Sequence, residues 1–204
     1  GVVVLATAGG KTLTIASLIQ NIFNHSDKRK FRCLVLVPDL GLVNQTHSDF
    51  NEYGVTYLHT KWSGSNKLNL ASNVIIANMG ILQSDKTDTK WLDDIDLLIV
   101  DEVHKLRRDN KINKIIKKIK TPHKFGFTGT MPEDPVDQWN IIGKIGPVLY
   151  EKNSYQLRSE KYITNVGVQI LKMEYKTQPD ISTRNNPTLR YRNELKFLAE
   201  SNFR

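Results

Sequence analysis

The chain has one cysteine, Cys33, among its 204 residues. A single thiol excludes an internal disulfide and a cysteine-built zinc site. Its place inside the apolar run CLVLV, residues 33 to 37, points to a buried, inert thiol and an intracellular, cytoplasmic setting. Long hydrophobic runs are lacking too: none approaches the roughly 18 residues that cross a bilayer, and no basic-then-apolar leader opens the chain. The expectation is a protein without a membrane partner. A start methionine is also missing, and the strand-like VVVL begins at residue 2, so the reading is of a piece excised from a longer protein. Internal repeats and low-complexity segments are absent. Acidic residues are the minority, 21 against 29 Lys and Arg, which leaves a net charge of +8. That balance favours a polyanionic partner such as nucleic acid, although lysines kept for solubility produce the same excess.

What is present is an alternation. Apolar runs recur at residues 2 to 5 (VVVL), 33 to 37 (CLVLV), 73 to 77 (NVIIA), 96 to 100 (DLLIV) and 124 to 128 (KFGFT). Continuous runs of this kind suit strands buried on both faces. Helical patterns lie between them at residues 11 to 23, 40 to 52 and 110 to 120, the last with Ile112, Ile115, Ile116 and Ile119 on one face. Alternating strands and helices predict an α/β fold with a mostly parallel sheet and helices on both faces. The character changes near residue 146. We expect a core over residues 1 to 145 and a C-terminal extension over 146 to 204: strands and a connector in GPVLYE, a short helical SYQLRSE and YITNVGVQILKMEY, then a polar linker TQPDISTRNNP and a last helix TLRYRNELKFLAESNF.

Three stretches carry chemistry. In LATAGGKT, residues 5 to 12, a strand runs into a turn of small residues and then a helix, which aims backbone N–H groups and a helix N-terminus at one point. A phosphate suits that point, with Lys11 reaching its outer oxygens and the Thr12 hydroxyl binding Mg2+. Leu5 stands where the phosphate-loop pattern has its first glycine, so a surface lysine at an ordinary helix start remains an alternative. In DLLIVDEVHKL a buried strand ends in Asp101 and Glu102 at the edge where parallel sheets bind ligands. Asp101 suits a metal and Glu102 an attacking water; an acidic helix cap is the plainer reading. In KFGFTGTMP, Thr128, Gly129 and Thr130 either form a simple turn or link a nucleotide site to a neighbouring ligand site.

Taken in order, LATAGGKT, LVLVPDLGLVNQ, NVIIANMGIL, DLLIVDEVHK and GFTGT resemble motifs I, Ia, a later nucleic-acid-binding motif, II and III of superfamily 2 helicases. Asp101-Glu102-Val103-His104 matches the DExH form of motif II, and the segment IIGKIGPVLYEKNSYQLRSEKYITNVGVQILKMEY is similar to that following motif III in phage UvsW-type and XPB-type DNA repair helicases. The resemblance implies a first RecA-like lobe, a P-loop NTPase domain that uses ATP and Mg2+, grips nucleic acid (DNA more than RNA) and works against a second RecA-like lobe in cis. It further implies that Thr7, Ala8, Gly9, Gly10, Lys11 and Thr12 hold phosphate, Thr12 and Asp101 the metal, and Lys11, Asp101 and Glu102 the catalytic charge. His104 would couple to Thr128, Gly129 and Thr130, while Pro38, Asp39, Asn78 and Gly80 would contact nucleic acid. Asp39 and Asn78 both replace the threonine usual in the family, and Asp39 repels phosphate.

Several residues have plainer readings. Lys111, Lys114, Lys117 and Lys118 lie opposite the isoleucine stripe, as a solvated face or a phosphate-tracking one. His25, His47, His59 and His123 show no metal-ligand spacing. Trp62, Trp91 and Trp139 read as packing residues before base-stacking ones.

Overall fold

The computed structural model describes residues 1–26, 30–64, 67–84, 87–165, 167, 169–170 and 186–200. Seven strands, β1 (Val2–Leu5), β2 (Cys33–Val37), β3 (His59–Trp62), β4 (Val74–Asn78), β5 (Leu97–Asp101), β6 (Lys124–Thr128) and β7 (Val148–Lys152), form one sheet in the order β3-β4-β2-β5-β6-β1-β7. Every neighbouring pair is parallel. Parallel pairs need crossovers, and these place helices on both faces. α1 (Lys11–Asn24) and α2 (Leu40–Glu52) bury Ile15, Ala16, Ile19, Val43 and Phe50 with Cys33, Val35 and Val37 of β2. α3 (Met79–Leu82), α4 (Ile112–Lys118) and α5 (Pro135–Ile145) bury Met79, Leu82, Ile112, Ile116, Ile141 and Ile145 with Leu34 and Leu36 on the opposite face. The two-sided burial is why β2 has no polar alternation. Each such buried aliphatic side chain contributes ~1.5–3 kcal/mol.

Register carries the strand ends to one edge. Val4 pairs with Thr128, Asp101 with Phe127, and Leu5 with Lys152. Leu5, Thr128 and Asp101 therefore finish within two residues of one another, and the segments that follow them rise from adjacent strands β1, β6 and β5.

The structure adds elements that the sequence pattern does not expose. β3 is a short, half-buried edge strand containing Lys61, too polar to read as core. α5 starts from Asp134, whose side chain accepts the Val136 N–H, with Pro135 in its first turn; this Asp-Pro pair is a legible helix start. The expected helix over 110–120 is shorter: Ile119 is already extended before Thr121-Pro122, although the four isoleucines are all buried.

The sheet runs past residue 145. β7 lies beside β1, α6 (Ser154–Ser159) follows it, and the first compact unit extends over Gly1–Asn165. α6 has a reciprocal cap between Asn153 and Gln156. The described residues between 162 and 170 contain no strand, and the remainder of the expected strand at 171–175 and most of the expected linker, at 177–185, lie outside the described residues. A second unit, Val166–Arg204, contains α7 (Pro187–Glu200), which corresponds to the expected last helix. No helix among the described residues is long and apolar enough to cross a membrane. Cys33 is fully buried, and burial pushes its thiol well above the ordinary range.

Candidate functional site

The loop from Ala6 to Gly10 is shaped by its backbone. Gly9 N–H donates to Ala6 O at 2.9 Å, and Ala8 and Gly10 have φ of 64° and 83°. A Cβ on Gly9 would stand 2.8 Å from both Ala6 O and the Leu5 side chain, so only glycine fits there without displacement. Leu5 is buried with Ala6 and with Leu157 of α6. It belongs to packing, which accounts for a leucine where the loop pattern has glycine.

No side chain caps α1 or the shorter α4, whereas Asp39, Asn78, Asp134 and Asn153 cap α2, α3, α5 and α6. The first N–H groups of α1 thus face the loop without a side-chain acceptor, the arrangement that suits an anion. Around Gly10 the space is open: an added Cβ would meet nothing within 4 Å. Lys11 Nζ folds back to donate to Leu5 O at 3.4 Å.

Asp101 ends β5, and its Oδ1 accepts the Glu102 N–H at 2.9 Å. Burial raises its carboxyl to about 6; the Glu102 N–H opposes the rise, the Glu102 carboxylate adds to it, and the Lys11 ammonium opposes it. That last effect links the loop electrostatically to the acidic pair. Glu102 has φ 50°, a left-handed turn for a non-glycine residue at the start of the 3-10 turn Val103–Lys105. Beneath it lies Gly126, where a Cβ would stand 2.8 Å from Val103 Cγ2. Gly126 opens the GFTGT stretch, and the structure gives it a positioning role that the motif resemblance does not assign.

His104 Nδ1 lies 2.8 Å from Thr128 Oγ1 and 3.2 Å from Glu102 Oε2. Thr128 donates its one hydroxyl proton to Thr130 O at 2.8 Å, so its lone pairs face His104 and the Thr130 N–H, 3.4 Å away. The network therefore assigns the His104 proton to Nδ1, donating toward both oxygens. Gly129 sits against the next loop, its Cβ position 3.8 Å from Thr7 Oγ1. The structure thus gathers Thr7, Gly129, Thr128, Thr130, His104 and Glu102 at one edge.

The remaining predicted residues lie across the sheet, after β2 and β4. Asp39 Oδ1 accepts the Leu42 N–H at 3.0 Å as the cap of α2. Asn78 Oδ1 accepts the Gly80 N–H at 2.7 Å while its Nδ2 donates to Pro38 O at 3.0 Å. Asn78 thereby ties the two loops together, and Asp39 has a structural task in which its charge interacts favourably with a helix N-terminus.

Trp62 and Trp91 pack edge to face with centroids 5.6 Å apart, while Trp139 is exposed. His47 and His59 lie 5.0 Å apart, a proximity that their spacing in sequence does not reveal. Among the described residues no group of three or more His, Cys, Asp or Glu side chains is arranged to hold a metal. A Mg2+ site here would combine Asp101 and Thr12 with phosphate oxygens and water, a donor set that suits this ion.

This all-parallel sheet with helices on both faces is a RecA-like α/β lobe, and the glycine turn, the acidic strand end and the His–Thr link lie at one edge of it. The chain belongs to the family described as "Type III restriction enzyme, res subunit", whose model matches residues 1–133. No curated protein matches it. Solved structures share the fold. The UvsW helicase from bacteriophage T4 superposes with a TM-score of 0.58 at 20% identity over 73% of this chain and 53% of its own. The Hef helicase domain from Pyrococcus furiosus gives 0.65 at 19% over 81% and 37%, and the Sulfolobus solfataricus SWI2/SNF2 ATPase core, in complex with dsDNA, gives 0.60 at 19% over 77% and 33%. The chain therefore spans about half or less of the length of these relatives.

Proposed function

We propose that the chain is the ATP-binding motor lobe of an ATP-dependent DNA helicase or translocase acting in repair, recombination or branch migration. The observation that carries this reading is the convergence at one sheet edge of the uncapped α1 terminus, Lys11, Asp101, Glu102 and the His104–Thr128 link. Backbone N–H groups from Ala8 to Thr12 hold phosphate, with Thr7 beside them. Lys11 neutralises its outer charge. Thr12 and Asp101 hold Mg2+, which when bound supplies further charge neutralisation on the phosphates. Glu102 orients the attacking water and accepts its proton.

His104 donates to both the Glu102 carboxylate and Thr128, so a change of charge at Glu102 alters the hydrogen bonding of the loop Thr128–Thr130. That is a route from nucleotide state to the strand-gripping loops at Pro38–Asp39 and Asn78–Gly80. DNA is favoured over RNA by the dsDNA carried by the Sulfolobus relative. A restriction-type DNA translocase is the second reading, favoured by the family match. Residues beyond Asn165 lead toward a second RecA-like lobe that supplies arginine fingers, so the 204-residue chain alone binds nucleotide weakly and turns it over very slowly.

The test is the ATPase rate of the full-length protein with single-stranded DNA, duplex, forked DNA, four-way junctions and RNA. Stimulation by forks or junctions supports repair, and stimulation by plain duplex supports the translocase. Lys11→Ala and Glu102→Gln abolish turnover and leave DNA binding intact. Normal hydrolysis by either variant overturns the mechanism.

A further inference from the structure

The loop and the acidic pair impose a direction on any nucleotide that occupies this edge. The acidic pair ends β5, and the sheet order is β5-β6-β1-β7. A terminal phosphate must lie toward Asp101 and Glu102, on the β5 side of the loop. The sugar and base then leave the loop the other way, across β1 toward β7. On that side is a cleft of about 510 Å³ whose wall includes Leu5, Gly9, Gly10, Tyr150, Lys152 and Tyr162. Small-molecule sites of this size are common, and the shared glycines make the cleft continuous with the phosphate loop.

Its far wall is built, not incidental. Ala6 N–H donates to Lys152 O at 3.1 Å, fastening the start of the loop to β7. A Cβ on Gly9 would also stand 3.0 Å from Leu157 Cδ1, so α6 rests on the loop itself. After α6 the chain turns at Lys161, φ 62°, and Tyr162 N–H donates to Leu157 O at 2.9 Å. The backbone of Tyr162 is thereby held, yet its residue is 73% exposed. The Lys152 ammonium lies over its ring, 5.0 Å from the centroid, and is paired with Glu160. Tyr150, from the same strand as Lys152, is half exposed beside it. An exposed, anchored aromatic ring next to an open phosphate loop has the chemistry of a stacking platform.

We propose that the cleft between the phosphate loop and β7–α6 is the nucleoside subsite, with Tyr162 stacking on the purine base of a bound nucleoside triphosphate and Tyr150 closing its side. The assignment rests on the nucleotide-binding reading above. It gives the segment after β7 a direct part in nucleotide binding, in addition to any connecting role.

Titration of the 204-residue chain with Mg·ATP and with Mg·tripolyphosphate, which has the phosphates but no nucleoside, tests this. Tyr162→Ala is expected to weaken ATP roughly tenfold and leave tripolyphosphate unchanged, and Tyr162→Phe to retain ATP. Lys11→Ala weakens both. Unchanged ATP affinity in Tyr162→Ala, or equal losses for the two probes, overturns the nucleoside subsite while Lys11-sensitive binding keeps the phosphate-loop reading. If the wild-type chain binds neither probe, or Lys11→Ala alters neither, the phosphate-loop reading fails and takes the subsite with it. Photolabelling with 8-azido-ATP, which carries its reactive group on the purine, should mark the peptide spanning residues 150 to 162; labelling confined elsewhere overturns the proposal.

Discussion

His104 and Thr128, 24 positions apart in sequence, are joined at 2.8 Å by a hydrogen bond that runs from the imidazole to the hydroxyl. Thr128 is fully buried, and its oxygen is the junction of three polar groups. Replacing it with the isosteric valine leaves the His104 N–H and the Thr130 carbonyl without this partner. Thr128→Val is expected to lose ~1–2 kcal/mol of stability in urea unfolding, with Thr128→Ser retaining most of it. In the full-length protein the same valine should uncouple ATP turnover from nucleic acid while sparing basal hydrolysis, read as the ratio of stimulated to basal rates.

Asp101 is held at about 6 by burial, above its ordinary 3.8. The folded state binds this proton more tightly than the unfolded chain does, so the stability contribution is present below pH ~4 and disappears as pH rises to about 6. At ~1.4 kcal/mol per tenfold change in acidity, ionised Asp101 costs roughly 2–3 kcal/mol at neutral pH. Asp101→Asn keeps an acceptor for the Glu102 N–H and should raise stability by up to that amount at pH 7 in the absence of nucleotide. The gain should vanish near pH 4. Equal stability of the two proteins at pH 7 would contradict this account.

Mg2+ binding should show the opposite trend with pH. In the proposed site the metal would require the Asp101 carboxylate, so Mg2+-dependent nucleotide affinity should weaken as pH falls through about 6. Titrations with Mg2+ between pH 5 and 8 would reveal it; a flat profile would remove Asp101 from the metal site.

Gly126→Ala should strain the Asp101–Glu102 turn from below, because the new methyl meets Val103 Cγ2 at 2.8 Å. The expected loss is ~1–3 kcal/mol. Val103→Ala on the same background should recover part of it, and additive losses in the double-mutant cycle would show that the two sites do not touch.

At Gly10 the penalty has a different origin. With nothing within 4 Å of a Cβ and φ at 83°, Gly10→Ala should cost ~1–2 kcal/mol through backbone conformation alone. Its methyl would also project at the loop mouth, so tripolyphosphate affinity should fall by more than stability does.

Much of the site is legible in the sequence because its signals are local. Val2–Leu5, Cys33–Val37 and Lys124–Thr128 are strands over the same residues that their apolar runs mark, and Leu40–Glu52 is a helix over its whole predicted span. The glycine turn before Lys11 and the acidic pair after DLLIV read directly. β3 is less visible, being a half-buried edge strand with polar residues, whereas β7 falls on GPVLYE, an expected strand. Gly126 lies within GFTGT, yet nothing local shows its constraint, which comes from Val103 on a different segment. The cap at Asn153 and Gln156 announces a helix, but nothing in residues 153 to 156 says that the helix packs on the phosphate loop.

By itself the sequence determined the alternation of buried strands and amphipathic helices, and singled out the candidate groups proposed above to meet phosphate and metal. Periodicity, turn chemistry and charge act over a few residues and can be read without coordinates. Tertiary structure decided which strand ends lie side by side: β5 and β6 bring Glu102, His104 and Thr128 together, and β7 beside β1 places Tyr150, Lys152 and Tyr162 at the phosphate loop. Strand order is set by which apolar faces bury best against one another over the whole sheet, a long-range balance that no local pattern contains.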